Sequence, residues 1–399
     1  MSRILLAWEL GGGFGHLAPF LGLAPHLLER GHSLHIAARE IAGACKAVGD
    51  LPIAVHQAPL CLNTYGGLQE PPLNFAEILM RYGYLDAPML RAMIAAWRAL
   101  LNVTRADLLI ADHAPTALLA ARWSGIPTAV IGTPFSVPPA VHPTPNMRNW
   151  LEVPAQRLAD SDVRILDVVN AIRPAGAAPL AAIHEFFPAE AQFFLGVTET
   201  DPYGPRNAAV YLGPSGRSMG TALPAWPDGA GKRVLAYLRG EYKHVEPTLQ
   251  ALAAHGARVI AYVPGADHKI LHLMTTLGAA VSMEPVDMVR LLPQADICVA
   301  HGPGTAFAAL RAGVPVLMLP TQLENFLLAQ ALQRMGIGTL IHPDQDHPDF
   351  KGVLAEMLAS DKYAVSARAF AAHYPDAVID AIVEQVIARI EAGCVTPVT

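Results

Sequence analysis

The chain reads as an α/β protein of two domains, each built on a parallel sheet, and three observations predict it. Short apolar runs alternate with amphipathic segments from end to end, the pattern of strands joined by helical crossovers. At 399 residues the chain is long for one hydrophobic core. A stretch rich in proline and glycine, from Gly213 to Gly231, interrupts the alternation as an interdomain linker does.

In the first half the strand Ile4–Trp8 runs into a glycine-rich turn and a helix, Leu17–Arg30, that stops at Gly31. A strand follows at Ser33–Ala38, and Leu108–Asp112 reads as a buried strand with a helix after it that ends at Ser124-Gly125. Thr128–Ile131 is the next strand, and Ala208–Leu212 closes the set. Beyond the linker the alternation restarts. Strands are predicted at Arg233–Leu238, Arg258–Val263, Ala279–Met283, Ile297–Ala300 and Val316–Leu319. Helices fall near Val245–His255, near Lys269–Leu277 and after Thr305, and the last spans about Asp376–Ala392. The expected division is a first domain at 1–213, a linker at 214–231, a second domain at 232–375, and a C-terminal helix at 376–399 free to pack back on the first domain. Pro134–Leu180 is irregular and is expected to cover the ligand face rather than join the sheet.

Composition narrows the function classes. Hydrophobic residues make up 52% and charged residues 16%, which excludes a disordered chain. A formal net charge of -6 argues against general nucleic-acid binding, which needs Lys and Arg against phosphate. The four cysteines (Cys45, Cys61, Cys298, Cys394) form no C-x-x-C, which fits a reducing compartment and no cysteine zinc site. No H-E-x-x-H occurs, so no metal is expected. Every apolar run breaks well short of the roughly 18 residues a membrane span needs, and no leader precedes the first strand. The expectation is a cytoplasmic protein, monomer or homodimer, with peripheral membrane contact left open.

Three groups of residues carry candidate chemistry. The first is Ala300–Pro315, where an apolar strand runs into His301-Gly302-Pro303-Gly304-Thr305 and an alanine-rich helix. Free amides at a helix start attract an anion, small residues let phosphate approach, and His301 adds a donor. This is the pattern of a diphosphate cradle. The second is Gly11–Pro19, with Gly13, Gly15 and His16 at the mouth of a sheet, where α/β proteins bind ligands. His16 has the chemistry of a general base and Asp112 that of its orienting partner. The competing readings are a plain turn with a capping histidine, and an N-cap for Asp112. The third is a set of strand-end groups: Arg239-Gly240-Glu241, Met283-Glu284-Pro285 as backbone readers of a base, and Glu324-Asn325 for sugar hydroxyls. Arg239 equally suits a solvated strand end, and Glu324-Asn325 a helix cap. The aromatic segment Pro59–Leu101 (Tyr65, Phe75, Tyr82, Tyr84, Trp97) reads either as acceptor-pocket lining or as core.

With these residues in order, the chain resembles the UDP-glycosyltransferase superfamily of the GT-B fold, in which two Rossmann-like parallel-sheet domains face each other across a cleft. The resemblance rests on Gly15-His16-Leu17-Ala18-Pro19, Asp107–Asp112 with Gly125-Ile126-Pro127, Leu223–Trp226, Leu291–Asp296 and His301–Pro315. It implies His16 as catalytic base with Asp112 as partner, and Gly13, Gly15, Arg239, Gly240, Pro285, His301, Gly302, Gly304, Thr305, Glu324 and Asn325 at the donor site. The implied reaction is inverting, metal-independent transfer of a hexose from a nucleotide diphosphate sugar, of UDP or dTDP type, to a small-molecule or lipid-like acceptor. No cofactor is implied beyond that co-substrate. Alternatives of the same fold are an epimerase and a non-catalytic nucleotide-sugar or partner-binding protein. Departures from the family pattern are a shortened turn at His301–Thr305, Pro303 within it, Ala308 at a ribose-binding position, Glu241 and Asn325. They bear on which donor is held rather than on its class.

Overall fold

The computed structural model describes residues 1–214, 220–345 and 347–395; residues 215–219 of the expected linker and 396–399 of the expected C-terminal segment lie outside the described residues. The chain divides into two compact units, Met1–Leu212 with Ala381–Thr399, and Gly213–Asp380.

The first unit runs β1 (Arg3–Trp8), α1 (Ala18–Glu29), β2 (Ser33–Ala38), α2 (Ile41–Val48), β3 (Ile53–Gln57), α3 (Phe75–Met80), α4 (Ala87–Thr104) and β4 (Leu108–Asp112). It continues through α5 (Pro115–Arg122), β5 (Thr128–Gly132), α6 (Ala155–Ile172), β6 (Gln192–Phe194) and β7 (Val210–Tyr211). Its strands form one parallel sheet in the order β3-β2-β1-β4-β5-β6-β7. Central strands β1 and β4 are almost wholly buried, as continuous apolar runs in a parallel sheet should be. Apolar layers cover both faces. One holds Phe75, Tyr84 and Trp97; the other holds Trp8, Phe20 and Ile36.

One open reading is decided and one expectation is corrected. Phe75, Tyr84 and Trp97 are fully buried, which decides for the core at these three positions. The Pro134–Leu180 stretch stays out of the sheet, but it contains the 18-residue helix α6, which anchors through Ile165, Leu166 and Val169.

The second unit runs β8 (Arg233–Tyr237), α7 (Val245–Ala254), β9 (Arg258–Tyr262), α8 (His268–Thr276), β10 (Ala280–Ser282), α9 (Met288–Leu291) and β11 (Ile297–Ala300). Then come α10 (Pro303–Arg311), β12 (Val316–Met318), α11 (Leu323–Arg334), β13 (Gly338–Leu340), α12 (Phe350–Ala359) and α13 (Lys362–Ala372). Its sheet is also all parallel, in the order β10-β9-β8-β11-β12-β13. The last helix, α14 (Asp376–Val395), carries the chain back into the first unit, where Val386, Ile387 and Ile390 join the core. Arg30 there pairs with Glu384 and, at 3.2 Å, with Glu391.

Candidate active site

In a doubly wound sheet, ligands bind at the carboxyl ends of the strands where the strand order reverses. In the first unit that point lies between β1 and β4, whose register sets Trp8 opposite Asp112. A short 3-10 turn, Phe14–His16, then brings the His16 ring back over the strand ends. His16 Nδ1 and Asp112 Oδ1 are 2.9 Å apart, and the side chains are 14% and 3% exposed. A carboxylate only accepts, so Nδ1 carries the proton and Nε2 the lone pair. Burial pushes the Asp112 carboxyl up, and the facing imidazole pulls it back down.

Several further residues shape this pair. The Trp8 ring stacks on His16 at a centroid distance of 5.3 Å. Gly11 has φ +78°, and a Cβ there would collide with His16 Nε2. Gly132, at the end of β5, has φ +118°, and a Cβ there would sit 2.7 Å from the Asp112 carboxylate. Both glycines are needed for backbone conformation and for space. His113 occupies the left-handed region at φ 48°, and its carbonyl accepts from the Leu10 amide at 2.9 Å. The residue keeps some exposed surface, but its Nε2 is sealed and has no hydrogen-bond partner. Desolvation, with His16 and Arg39 nearby, pushes the His113 imidazole down to about 3. Gly13 (φ +92°) and Gly15 lie in the exposed loop beside them, and a Cβ at Gly15 meets nothing within 4 Å. The roles of Gly132 and His113 are not marked locally in the sequence, because each depends on a partner from the end of another strand.

In the second unit the reversal lies between β8 and β11. His301 follows β11 directly. Its Nδ1 meets the Leu319 carbonyl at 2.6 Å, and Tyr242 packs edge-on at 4.8 Å. The helix α10 begins at Pro303 with Gly302 as N-cap and no side-chain cap, so the amides of Gly304 and Thr305 lie in its first turn. This corrects the expected helix start after Thr305. Proline at the first helical position is favourable, because that amide has no partner within the helix. Asn325 is buried in the first turn of α11, with Oδ1 3.8 Å from the Cβ position of Gly302, and Glu324 precedes it. Neither is the helix cap, a place taken by Gln322.

Three expectations change in this unit. His301 donates Nδ1–H to Leu319, so its Nε2, buried and without a hydrogen-bond partner, can donate only as an imidazolium. Burial pushes that pKa down. The Gly240 amide already donates to Pro264 at 2.9 Å, and a Cβ there would collide with the Gly265 carbonyl. Backbone packing therefore explains the glycine. The Pro285 carbonyl accepts from Ala222 at 3.2 Å, inside a bridge between the linker and Val286. Arg239 lies 3.8 Å from Glu241, which takes up part of its charge. Among the described residues no group of three or more His, Cys, Asp or Glu side chains is placed to hold a metal ion. Among them, too, no helix is long and apolar enough to cross a membrane.

Two parallel sheets, each with polar groups gathered at its reversal point, define a protein of the GT-B class. The comparisons with known proteins agree. The C-terminal domain of the erythromycin biosynthesis protein CIII-like family matches residues 246–387. The elloramycin glycosyltransferase ElmGT of Streptomyces olivaceus is 30% identical over 148 residues, covering 34% of this chain and only 35% of that protein. A PGL/p-HBAD biosynthesis glycosyltransferase of Mycobacterium tuberculosis is 26% identical over 375 residues, 87% of this chain and 84% of that one. Among solved structures, glycosyltransferase VinC in complex with dTDP superposes with a TM-score of 0.69 at 18% identity, covering 98% of this chain and 99% of that chain. CalG4, the calicheamicin glycosyltransferase, gives 0.68 at 19% identity and 98% of each chain. The chain has the GT-B fold, and its sequence is similar to that of a glycosyltransferase over 87% of its length.

Proposed function

We propose that this protein is an inverting glycosyltransferase that moves a sugar from a nucleotide diphosphate donor to a hydroxyl of a small-molecule or lipid-like acceptor. The observation that carries the reading is the 2.9 Å contact between His16 Nδ1 and Asp112 Oδ1. With Nδ1–H held by Asp112, Nε2 takes the acceptor's hydroxyl proton as its oxygen attacks the anomeric carbon. The bond from that carbon to the diphosphate oxygen breaks on the opposite face, which inverts the centre. The proton stays on His16, and the imidazolium is stabilised by the buried carboxylate. The departing diphosphate carries the negative charge, met by the uncapped start of α10 and by His301 as imidazolium. This needs no metal. Relatives named for elloramycin and calicheamicin support a small-molecule acceptor, and VinC's dTDP supports a donor of dTDP or UDP type.

The test compares wild type with His16→Ala. Thermal shifts with UDP, dTDP, GDP and ADP identify the nucleotide, because a ligand bound to the folded state raises apparent stability. Consumption of the matching nucleotide sugar with candidate acceptors is then measured. The variant should keep the thermal shift and lose on the order of 10²–10⁴-fold in turnover. Equal turnover would refute the base. Binding without turnover in either protein would favour the non-catalytic reading.

A further inference from the structure

The helix that follows Asp112 has no cap of its own. Its N-cap is Ala114 and its first residue is Pro115, so no local side chain can accept from the first turn. The acceptor comes from another strand. Glu9, one residue past β1, takes the Thr116 amide on Oε2 at 3.0 Å and the Thr116 hydroxyl on Oε1 at 2.6 Å. The Ala117 amide reaches the same carboxyl. Because the Thr116 hydrogen is committed to Glu9, the Tyr84 hydroxyl donates to Thr116 Oγ1, 2.9 Å away. Glu9 is wholly buried, unusual for a glutamate without an ion pair at its carboxyl. Burial pushes it up to about 7, against the pull of those amides and hydroxyl. Arg39 bonds only its main-chain oxygen, at 3.0 Å.

The neighbours of Glu9 all act on the same seam. Trp8 stacks on His16, Leu10 donates to the His113 carbonyl, and Gly11 makes room for His16 Nε2. The carboxylate carries hydrogen bonds from this tetrad to the first turn of α5.

We propose that Glu9 is a positioning residue for the His16–Asp112 pair. Its buried carboxylate ties the end of β1, which leads into the His16 turn, to the first turn of α5, which follows Asp112 and His113. The tie sets the separation of imidazole and carboxylate. Its catalytic meaning rests on the reading of His16 as the base, but the geometric claim does not.

Histidine ¹⁵N–¹H spectra of the full chain test it, with the His16 signals assigned by their loss in His16→Ala. Compared are wild type, Glu9→Ala, Glu9→Gln, Thr116→Val and Thr116→Ser, each shown folded by circular dichroism. The hydrogen-bonded Nδ1–H signature of His16 should weaken in Glu9→Ala and Thr116→Val and persist in Thr116→Ser. Glu9→Gln keeps one acceptor oxygen and should fall between. In parallel, kcat should drop on the order of 10–10²-fold with donor KM unchanged, as expected for a shift of about 1 Å. An unchanged His16 signature in folded Thr116→Val and Glu9→Gln overturns the proposal, even if Glu9→Ala fails to fold. A lost signature combined with full turnover in His16→Ala upholds the positioning and overturns the base.

Discussion

Replacing His113 by asparagine should remove much of the first unit's sensitivity to acid. Burial beside His16 and Arg39 pushes the His113 imidazole down to about 3, whereas an unfolded histidine titrates near ~6.5. Between those values the folded unit binds fewer protons than the unfolded chain. The contribution of His113 is therefore complete above about pH 6.5 and is lost as the pH falls through that window. The full window of about 3.5 pH units corresponds to roughly 5 kcal/mol, and a step from about pH 7.5 to about pH 5 draws on about 2 kcal/mol of it. The exposed edge of the residue screens part of this, leaving about 1–2 kcal/mol. Asparagine tolerates the left-handed backbone at φ 48° and leaves in place the carbonyl that the Leu10 amide uses. The lost ring adds an offset independent of pH. Glu9 and Asp112, both pushed up by burial, act in the opposite sense, stabilising less as pH rises. They are present in both proteins, so their effect cancels in the difference. Urea unfolding followed by tryptophan fluorescence reports mainly this unit, because Trp8, Trp97, Trp123 and Trp150 lie in it and only Trp226 does not. A difference between wild type and variant that is the same at both pH values, within about 0.5 kcal/mol, would refute the argument.

Two further outcomes follow from the site. Gly132→Ala places a Cβ 2.7 Å from the Asp112 carboxylate at φ +118°, so it should cost about 1–3 kcal/mol in urea unfolding and about 10²-fold in donor turnover; wild-type turnover would show that Asp112 does not need that space. His301→Ala should weaken nucleotide diphosphate binding more at about pH 6 than at about pH 8, because only the imidazolium donates from Nε2; equal losses in calorimetric titrations at the two values would remove His301 as a charged donor.

What the sequence revealed follows from how local each signal is. The strands β1, β4 and β11 carry unbroken apolar runs, β2 is interrupted after its first residue only by His35, and the bounds of all four agree with the sequence reading to within a residue. The strands β3, β6 and β13 escaped it. They have five residues or fewer, and β3 and β13 lie at sheet edges where one neighbour supplies all the pairing. The helix α6 escaped for another reason. Part of its buried face is polar: Ser161 meets Asn74 at 2.8 Å, and Asp162 accepts from the Thr144 amide at 2.8 Å. A hydrophobic period cannot register a face held by hydrogen bonds from residues about 20 and 90 positions away. The aromatic stretch was ambiguous because Phe75, Tyr84 and Trp97 look alike in a core and in a pocket, and burial decides for the core. His16 and Asp112 were legible because a glycine turn after a strand, and a carboxylate ending one, are unusual where they stand. Glu9 was not, because its partner Thr116 is 107 residues away.

The two sheets share the order 3-2-1-4-5-6 over their first six strands, so α5 after β4 and α10 after β11 occupy equivalent places. Both begin with proline, and neither has an N-cap side chain that accepts a hydrogen bond. Helix starts of this kind favour negative charge. In the first unit Glu9 supplies that charge from within the chain, so the end of α5 is already satisfied and serves to place Asp112. In the second unit Gly302 has no side chain to offer, and the neutral amide of Asn325 lies 3.8 Å from its Cβ position. His301 Nε2 there is buried and has no hydrogen-bond partner. The same local architecture is therefore closed to an external anion in one unit and ready for one in the other. That difference supports the proposed reading, in which the nucleotide diphosphate goes to α10 and proton transfer to the pair beside α5.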